Sequence, residues 1–374
     1  MWPRLGFLLV GWMAVGAAHG QSGDTSRKKL IEWGWDQPTT AFMRRHIEQM
    51  ERSPFDGCVF SAPYDKPNGK RGSFTWEGWG RRAFVYDELA PALADLKATK
   101  FTRFQDNFLR FNTTPADLDW FDDFASVLNN ARLAARFARE GGCKGLLFDI
   151  EQYNFHLFDY RKQRDREAKS WEVYAAQVRR RGREVMEAFQ KEYPDITLFL
   201  PFGYSMPWVQ SGRGRQPLAE KSYGLVAPFM DGLIDAANGR SRIIDGDEIA
   251  YGYKDPDDFV RSRRAMREDL LPMIGADREK YLRVISVSFG IWPDNDWRKR
   301  GWDLENFEKN YHTPERFETL VRAALQNADE YVWIYTEKPR WWTDEGQPAD
   351  LPAAYDRALR RARESAGQSA DAPK

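Results

Sequence analysis

The chain has few of the residues that form disulfide-rich or zinc-dependent proteins. Its 374 residues include only two cysteines, Cys58 and Cys143, and four histidines. Two cysteines cannot form a disulfide framework or a zinc cluster, so we interpret both as small buried apolar residues. Beyond the first twenty residues the histidines are His46, His156 and His312, and no two of them form a His-x-His pair. This argues against a barrel enzyme with a histidine-bound zinc ion.

The sequence also lacks an excess of charge and a nucleotide-binding loop. Its 56 basic and 56 acidic residues give a formal net charge of zero, whereas nucleic-acid-binding proteins usually carry a basic excess. Gly212 and Gly214 lie far from the first predicted strand and do not have Rossmann spacing. Aromatic residues, by contrast, make up 14% of the chain. We therefore expect a folded protein that does not bind nucleic acid.

The first twenty residues have the pattern of a secretory signal peptide. Arg4 supplies a positive charge, residues 5–17 form a short apolar run, and Ala18-His19-Gly20 places small residues at a cleavage site. We expect cleavage before Gln21 and a periplasmic or secreted protein that is not held at a membrane. An uncleaved membrane anchor is the competing interpretation.

Short apolar runs typical of strands alternate with amphipathic stretches typical of helices along the rest of the chain. The predicted strands cover residues 30–36, 56–62, 108–113, 144–151, 196–204, 241–247, 282–291 and 331–337. The predicted helices cover residues 40–50, 79–98, 120–139, 171–191, 218–237, 257–273, 314–327 and 353–364. Eight strand–helix units predict an α/β fold, a single (β/α)₈ TIM barrel over residues 21–364, followed by a disordered tail at 365–374. A doubly wound open sheet is the alternative.

The fourth predicted strand carries two carboxylates at the end where TIM barrels have their active sites. The two-residue period of a strand puts Leu147, Asp149 and Glu151 on one face. We expect this face to point into the barrel, with Asp149 and Glu151 about 7 Å apart and able to perturb each other's ionisation. Arg110 and Asn112 on the third strand are expected beside them, either as structural partners or as substrate contacts.

Other strand ends add acids and aromatic rings to the same expected mouth. Glu337 ends the eighth strand, and the sixth ends in Asp245-Gly246-Asp247-Glu248. Flat aromatic rings suit the C–H faces of sugars as well as they suit a core. The expected substrate contacts are Trp35, Asp36, Arg110, Asn112, Tyr204, Glu248, Trp292, Tyr335, Trp341 and Trp342. Structural alternatives stay open, since the aspartates could cap a turn or pair with arginines, and the last two tryptophans could plug the rim.

Strand ends rich in acids and aromatics and poor in histidine are typical of glycoside hydrolysis, which needs one carboxyl as acid and a second group at the oxocarbenium-like centre. Phe148-Asp149-Ile150-Glu151 and the whole-chain pattern resemble (β/α)₈ glycoside hydrolases. More loosely they resemble chitinase-like enzymes whose fourth strand ends in Asp-x-Glu. The chain differs from chitinases at residues 144–147, which are Lys-Gly-Leu-Leu instead of carrying further acids. The resemblance therefore does not imply assistance by a substrate acetamido group, and it assigns no named family.

Catalytic roles can be assigned from position along the strands. Glu151 is nearest the rim and has the longer side chain, so we assign it as the general acid. Asp149 lies one layer deeper, where its charge keeps Glu151 protonated. The second carboxyl is Glu337 or Asp247, with Glu337 preferred because aromatic residues precede it on its face.

Two other functions use the same strand ends. The acids, together with Asp245, could bind a divalent metal ion in a barrel enzyme that acts on a carbohydrate. A non-catalytic barrel could instead bind a glycan through its tryptophans. The favoured interpretation needs a carbohydrate substrate and no metal or cofactor, and it leaves the oligomeric state open.

Export can be tested directly. The mature protein from its native host should begin at Gln21, or within a residue or two of it, because signal peptidase cleaves after small residues. N-terminal sequencing measures this, and recovery of Met1 would refute the cleavage.

Overall fold

A computed structural model describes residues 28–35, 37–297, 299 and 301–370. The predicted signal peptide with its cleavage site, Asp36 and the last four residues of the predicted tail lie outside the described residues. None of the helices in the described part of the chain has the length and apolar character of a membrane span.

Nine strands in the described residues form one parallel sheet, in the order β10-β11-β1-β2-β5-β6-β7-β8-β9. The remaining pair, β3 and β4, forms a small antiparallel hairpin. The strands are β1 (Lys29–Gly34), β2 (Gly57–Phe60), β3 (Pro63–Asp65), β4 (Arg71–Ser73), β5 (Phe108–Asn112), β6 (Gly145–Asp149), β7 (Thr197–Leu200), β8 (Arg242–Asp245), β9 (Ile285–Val287), β10 (Phe289–Ile291) and β11 (Tyr331–Thr336).

The two ends of this strand order are the halves of a single predicted strand. Strands β9 and β10 are separated only by Ser288, and they pair with β8 and β11 respectively. The sheet therefore closes except for this one interruption, with eight strand positions around it. This confirms the single TIM barrel and rules out the doubly wound open sheet, whose edge strands do not meet.

Helices connect and surround the strands. They are α1 (Thr40–Met50), α2 (Phe74–Glu77), α3 (Ala90–Ala98), α4 (Ala125–Glu140), α5 (Trp171–Glu192), α6 (Ser205–Gln210), α7 (Val226–Ala236), α8 (Pro256–Arg264), α9 (Arg278–Val284), α10 (Pro314–Asn327) and α11 (Ala353–Ala370). Helix α8 continues as a turn of π-helix over Ala265–Asp269.

Several predicted helix boundaries are corrected. The helix predicted from residue 79 begins at Ala90, because Pro91 is accommodated only in the first turn. Helix α9 occupies the start of the predicted seventh strand, where the Asp277 side chain caps it by accepting from the Lys280 amide at 2.6 Å. Helix α11 continues six residues past its predicted end at 364, so residues 365–370 are helical.

Alternate residues of the strands contact two different cores. Leu147 of β6 and Trp333 of β11 belong to the cluster that fills the barrel. Leu146, Phe148 and Ile334 belong to the layer between sheet and helices. The predicted phase of both strands is therefore confirmed. Apolar side chains fill the middle of the lumen, so the open polar site expected of such a barrel lies at the carboxyl ends of the strands.

Close packing between β6 and β7 makes Gly145 a sensitive position. An added Cβ at Gly145 would lie 1.8 Å from the Thr197 carbonyl oxygen. Gly145→Ala should therefore lower the free energy of unfolding by about 2 to 3 kcal/mol, measured by urea denaturation. Gly69→Ala is the control: it has open space but a φ of +75°, so it should cost only about 1 kcal/mol. Equal losses in the two variants would contradict the packing argument.

Candidate active site

A buried ion pair forms the floor of the barrel mouth. Arg110 of β5 and Asp149 of β6 are 1% and 0% exposed, and the Arg110 Nη2 atom lies 2.5 Å from Asp149 Oδ2. The Arg110 Nε atom donates to the same oxygen at 3.1 Å. The guanidinium also donates to Gln37 Oε1 at 2.7 Å and to the Tyr153 hydroxyl at 2.8 Å. These contacts hold Asp149 as a paired carboxylate, the form in which a buried charge is tolerated.

Glu151 lies just beyond the end of β6, above this ion pair. Its backbone amide donates to Asp149 Oδ1 at 3.0 Å, and the Tyr153 hydroxyl bonds its side-chain carboxyl. Burial, and then the negative charge of Asp149, raise the pKa of Glu151 to about 7, while Tyr153 and Arg110 oppose the rise. The predicted pairing of Asp149 with Glu151 is present, and Glu151 has the raised pKa of a candidate acid–base group.

Glu248 is the second glutamate of the mouth. It begins a short 3₁₀ helix, Glu248–Gly252, that follows β8. Burial raises the pKa of Glu248 well above its usual range, and the negative charges of Glu151 and Asp149 raise it further. Among the described residues, none donates a hydrogen bond to the Glu248 carboxyl. The sequence predicted Glu248 as a substrate contact. Its electrostatic interaction with Glu151 makes it a candidate for the second acid–base carboxyl as well.

The turn after β8 explains why Glu248, and not Asp247, faces the mouth. Ile244 of β8 packs in the lumen and Ile243 packs against the helices, so the two-residue period puts Asp245 on the face of Ile243. Strand β8 ends at Asp245, and Asp247 has a φ of +41°, so this period does not extend to Glu248. The alternation of residues in the sequence therefore could not have assigned Glu248 its direction.

The structure therefore corrects the prediction that Asp247 reaches the mouth as a second carboxyl. Asp247 accepts hydrogen bonds from the Ser262 hydroxyl of α8 at 2.6 Å and from the Tyr253 hydroxyl at 2.9 Å. Asp245 accepts from the Ser205 hydroxyl at 2.6 Å. Both aspartates thus bind loops and helices outside the barrel, which is a structural role, although their partners are hydroxyl groups and not the arginines that the alternative suggested.

Glu337 lies on the outer rim. Its side chain is exposed, its backbone amide donates to Asp294 Oδ2 at 3.1 Å, and the Tyr335 hydroxyl lies 3.4 Å from its carboxyl. The charges of Glu337 and Glu151 both raise the pKa of Tyr335, after burial, so the two glutamates share this mouth. Solvent screens an exposed carboxyl, which makes Glu337 a weaker partner for Glu151 than Glu248 is.

Aromatic rings form the wall above β10 and β11. Tyr335 stacks on Tyr251 with ring centroids 5.5 Å apart, and the Trp292 ring lies 5.2 Å from Tyr335. On the opposite side, the Arg110 guanidinium lies 4.8 Å from the Trp76 ring centroid. Trp292 and Tyr335 were predicted here. Trp76 was not, because it lies in α2, within a connection that the sequence does not link to any strand end.

Three predicted substrate contacts lie away from the mouth. Tyr204 is buried among the helices, where its hydroxyl donates to Asp231 Oδ1 at 2.5 Å, because β7 ends four residues earlier and its phase does not continue. Trp341 and Trp342 pack against Phe55, with ring centroids 4.9 and 6.1 Å apart. Phe55 precedes β2, so these two tryptophans pack on the side of the barrel and do not form its rim.

The remaining predicted contacts stand at the upper ends of β1 and β5. Trp35 follows β1 and is 49% exposed, whereas Asp36 lies outside the described residues. Asn112 pairs in register with Asp149. Neither polar atom of its buried side chain has a hydrogen-bond partner among the described residues. A buried amide in this state costs free energy unless a bound molecule or water satisfies it.

The acids named for the metal alternative are divided between two places. Glu151 and Asp149 lie in the mouth, whereas Asp245 and Asp247 bind residues outside the barrel. Within the described ranges, no group of three or more His, Cys, Asp or Glu residues is placed to hold a metal ion.

No protein-family model matches the chain, and no curated protein matches it. Solved structures similar to it include a β-1,4-mannanase of glycoside hydrolase family 113, at 15% identity and a TM-score of 0.44, covering 91% of this chain and 99% of that chain. A putative sugar phosphate isomerase/epimerase from Anabaena variabilis has 11% identity, a TM-score of 0.48 and coverages of 91% and 98%. A Bacteroidetes-affiliated family 5 cellulase has 10% identity, a TM-score of 0.47 and coverages of 93% and 93%. Hydrolases and an epimerase both occur among these structures, so the chemistry has to be inferred from the site itself.

Tyr153 controls the ionisation of Glu151. Replacing Tyr153 by Phe removes a donor that stabilises the charged carboxylate, so the pKa of Glu151 should rise above about 7, by about one unit. The shift can be followed by NMR of ¹³C-labelled glutamate carboxyls. Tyr160→Phe is the control, since the Tyr160 hydroxyl bonds only backbone carbonyls. An unchanged or lowered pKa in Tyr153→Phe would contradict this role.

Proposed function

We propose that the protein is a glycoside hydrolase whose catalytic carboxyls are Glu151 and Glu248. The observation that carries this proposal is the placement of two half-buried glutamates at the mouth of the barrel, Glu151 after β6 and Glu248 after β8. They lie near enough that the charge of Glu151 raises the pKa of Glu248. Glycoside hydrolysis needs two such carboxyls, one protonated and one ionised, on either side of the scissile bond.

The contacts of the two glutamates assign the proton to Glu248. The Tyr153 hydroxyl and the Arg110 guanidinium both stabilise the ionised form of Glu151. Glu248 faces two negative charges and receives no hydrogen bond from the described residues. Because two neighbouring carboxyls cannot both ionise readily, the less stabilised one keeps the proton. The sequence suggested Glu151 as the general acid, Glu337 or Asp247 as the second carboxyl, and Glu248 as a substrate contact. We instead propose Glu248 as the general acid and Glu151 as the base or nucleophile.

In the proposed reaction, Glu248 protonates the glycosidic oxygen as its bond to the anomeric carbon breaks. The Glu151 carboxylate either attacks the anomeric carbon or removes a proton from the water that does so. Water supplies the new hydroxyl group and, where Glu151 has attacked, breaks the glycosyl–Glu151 ester. One proton of the water stays in that hydroxyl group, and the other goes to the glutamate pair in place of the proton that Glu248 gave up. A carboxyl separation of about 5 Å in the substrate complex would give retention, and roughly 6.5 to 9.5 Å would give inversion. Asp149 and Arg110 act as positioning residues beneath the pair.

The walls of the mouth fit a sugar. Tyr335 and Trp292 offer flat apolar faces for pyranose C–H groups, and Asn112 offers an unpaired amide. The signal peptide predicted from the sequence would place this activity outside the cytoplasm, so we propose a poly- or oligosaccharide as the substrate. The metal-dependent enzyme and the non-catalytic glycan-binding barrel are the alternatives that the experiment has to separate.

Purified protein should hydrolyse at least one member of a panel of plant, algal and bacterial polysaccharides. Glu151→Gln should lower kcat at least about 100-fold on every substrate. Glu248→Gln should do so on natural glycosides but spare aryl glycosides, whose leaving groups need little protonation. Glu167→Gln is the control, because the Glu167 side chain is 83% exposed. Product release and initial rates measure these effects.

Other outcomes would replace this assignment. If Glu337→Gln or Asp247→Asn lost activity while Glu248→Gln stayed active on all substrates, the second catalytic carboxyl would be Glu337 or Asp247 and not Glu248. Loss of activity on addition of a chelator would favour the metal-dependent alternative. Binding of a glycan without hydrolysis, unchanged in Glu151→Gln, would favour the non-catalytic barrel.

A further inference from the structure

A cavity of about 520 Å³ opens beside Glu248. Its wall includes Glu248, Tyr251, Met206 and Trp297, but not Glu151. Its volume is within the range of small-ligand sites, and its lining is mostly apolar with one carboxyl, as in sites where a few polar groups orient a ligand. The cavity therefore lies on the Glu248 side of the proposed catalytic pair.

Aromatic rings form part of the wall of this cavity, which includes Tyr251, Tyr253 and Trp297. The Trp297 ring lies edge-on to Trp292, with ring centroids 6.1 Å apart, and Trp292 lies edge-on to Tyr335 of the mouth, with centroids 5.2 Å apart. The cavity therefore offers an aromatic surface to a sugar ring beside Glu248.

Trp297 is the most exposed of the aromatic residues in this wall. It is 58% exposed, so a face of the indole is accessible to a sugar ring in the cavity. A Cβ added to Gly252 would lie 3.0 Å from the Trp297 ring. The indole thus lies directly on the backbone of the Glu248–Gly252 helix, which fixes its position relative to Glu248.

We propose that this cavity binds the sugar on the leaving-group side of the scissile bond, with Trp297 as its stacking platform. The inference rests on the proposed function, because a general acid lies next to the oxygen that it protonates and therefore next to the sugar attached to that oxygen. The substrate is then an oligosaccharide chain that extends past the cleaved bond along Trp297, and not a glycoside with a small leaving group.

Trp297→Ala tests this inference. Relative to wild type, it should raise KM about tenfold for oligosaccharides and leave kcat nearly unchanged, because stacking binds the ground state and transition state alike. Glycosyl fluorides should keep their kcat/KM within about twofold, since their leaving group is too small to occupy this cavity. Trp297→Phe should restore most of the affinity, which separates stacking from a folding defect.

Binding measured by calorimetry provides a test that does not depend on catalysis. Glu151→Gln protein is titrated with short oligosaccharides of increasing length, with and without Trp297→Ala, and the double variant should bind the longer ones about tenfold more weakly. Phe155→Ala is the matched control, because Phe155 is also an exposed aromatic residue, at 52%, but does not line this cavity. It should leave the affinity for oligosaccharides of every length unchanged.

The inference is overturned if Trp297→Ala leaves oligosaccharide affinity and KM unchanged, if it impairs glycosyl fluorides equally, or if no oligosaccharide binds. Failure of the proposed function looks different: oligosaccharides would bind in a Trp297-dependent way and none would be hydrolysed. That result would support the sugar-binding site at Trp297 and contradict the assignment of Glu151 and Glu248 as catalytic carboxyls.

Discussion

The arrangement of the mouth depends on the buried ion pair between Arg110 and Asp149. Both side chains are out of contact with solvent, so each would be an uncompensated charge without the other. Asp149 uses its second oxygen to hold the Glu151 amide, and Arg110 uses its remaining donors on Gln37 and Tyr153. The pair therefore fixes the position of Glu151 and also supplies the positive charge that stabilises its ionised form.

A local feature of the backbone separates two consecutive acids. Asp247 has a φ of +41°, in the left-handed region, where the chain turns from β8 into the Glu248–Gly252 helix. Asp247 turns towards Ser262 outside the barrel, whereas Glu248 enters the mouth. Gly246 lets this turn pack closely, because an added Cβ would lie 2.4 Å from the Leu200 carbonyl oxygen. One turn thus provides both a structural carboxylate and a candidate catalytic acid.

The proposed chemistry depends on the unequal environments of two similar side chains. Glu151 receives the Tyr153 hydroxyl, and Glu248 receives no hydrogen bond from the described part of the chain. Because a hydrogen-bond donor favours the ionised form of a carboxyl, our proposal places the proton on Glu248. The rings of Tyr335, Trp292 and Trp297 are neighbours from the mouth outwards to solvent. Trp297 also lines the cavity that contains Glu248.

The sequence by itself determined the eight-unit barrel and the facing of Asp149, Glu151 and Tyr335, because alternation within a strand is a local property of the backbone. Tertiary structure decided which strand ends meet. Closure of the barrel brings the ends of β6 and β8 together, so Glu151 and Glu248 interact although 97 residues separate them. Tertiary structure also places Tyr204, Trp341 and Trp342 outside the mouth. The sequence could not predict this, because the two-residue period of a strand does not extend into loops. The raised pKa values depend on burial and neighbouring charge, which arise only when distant segments pack against one another.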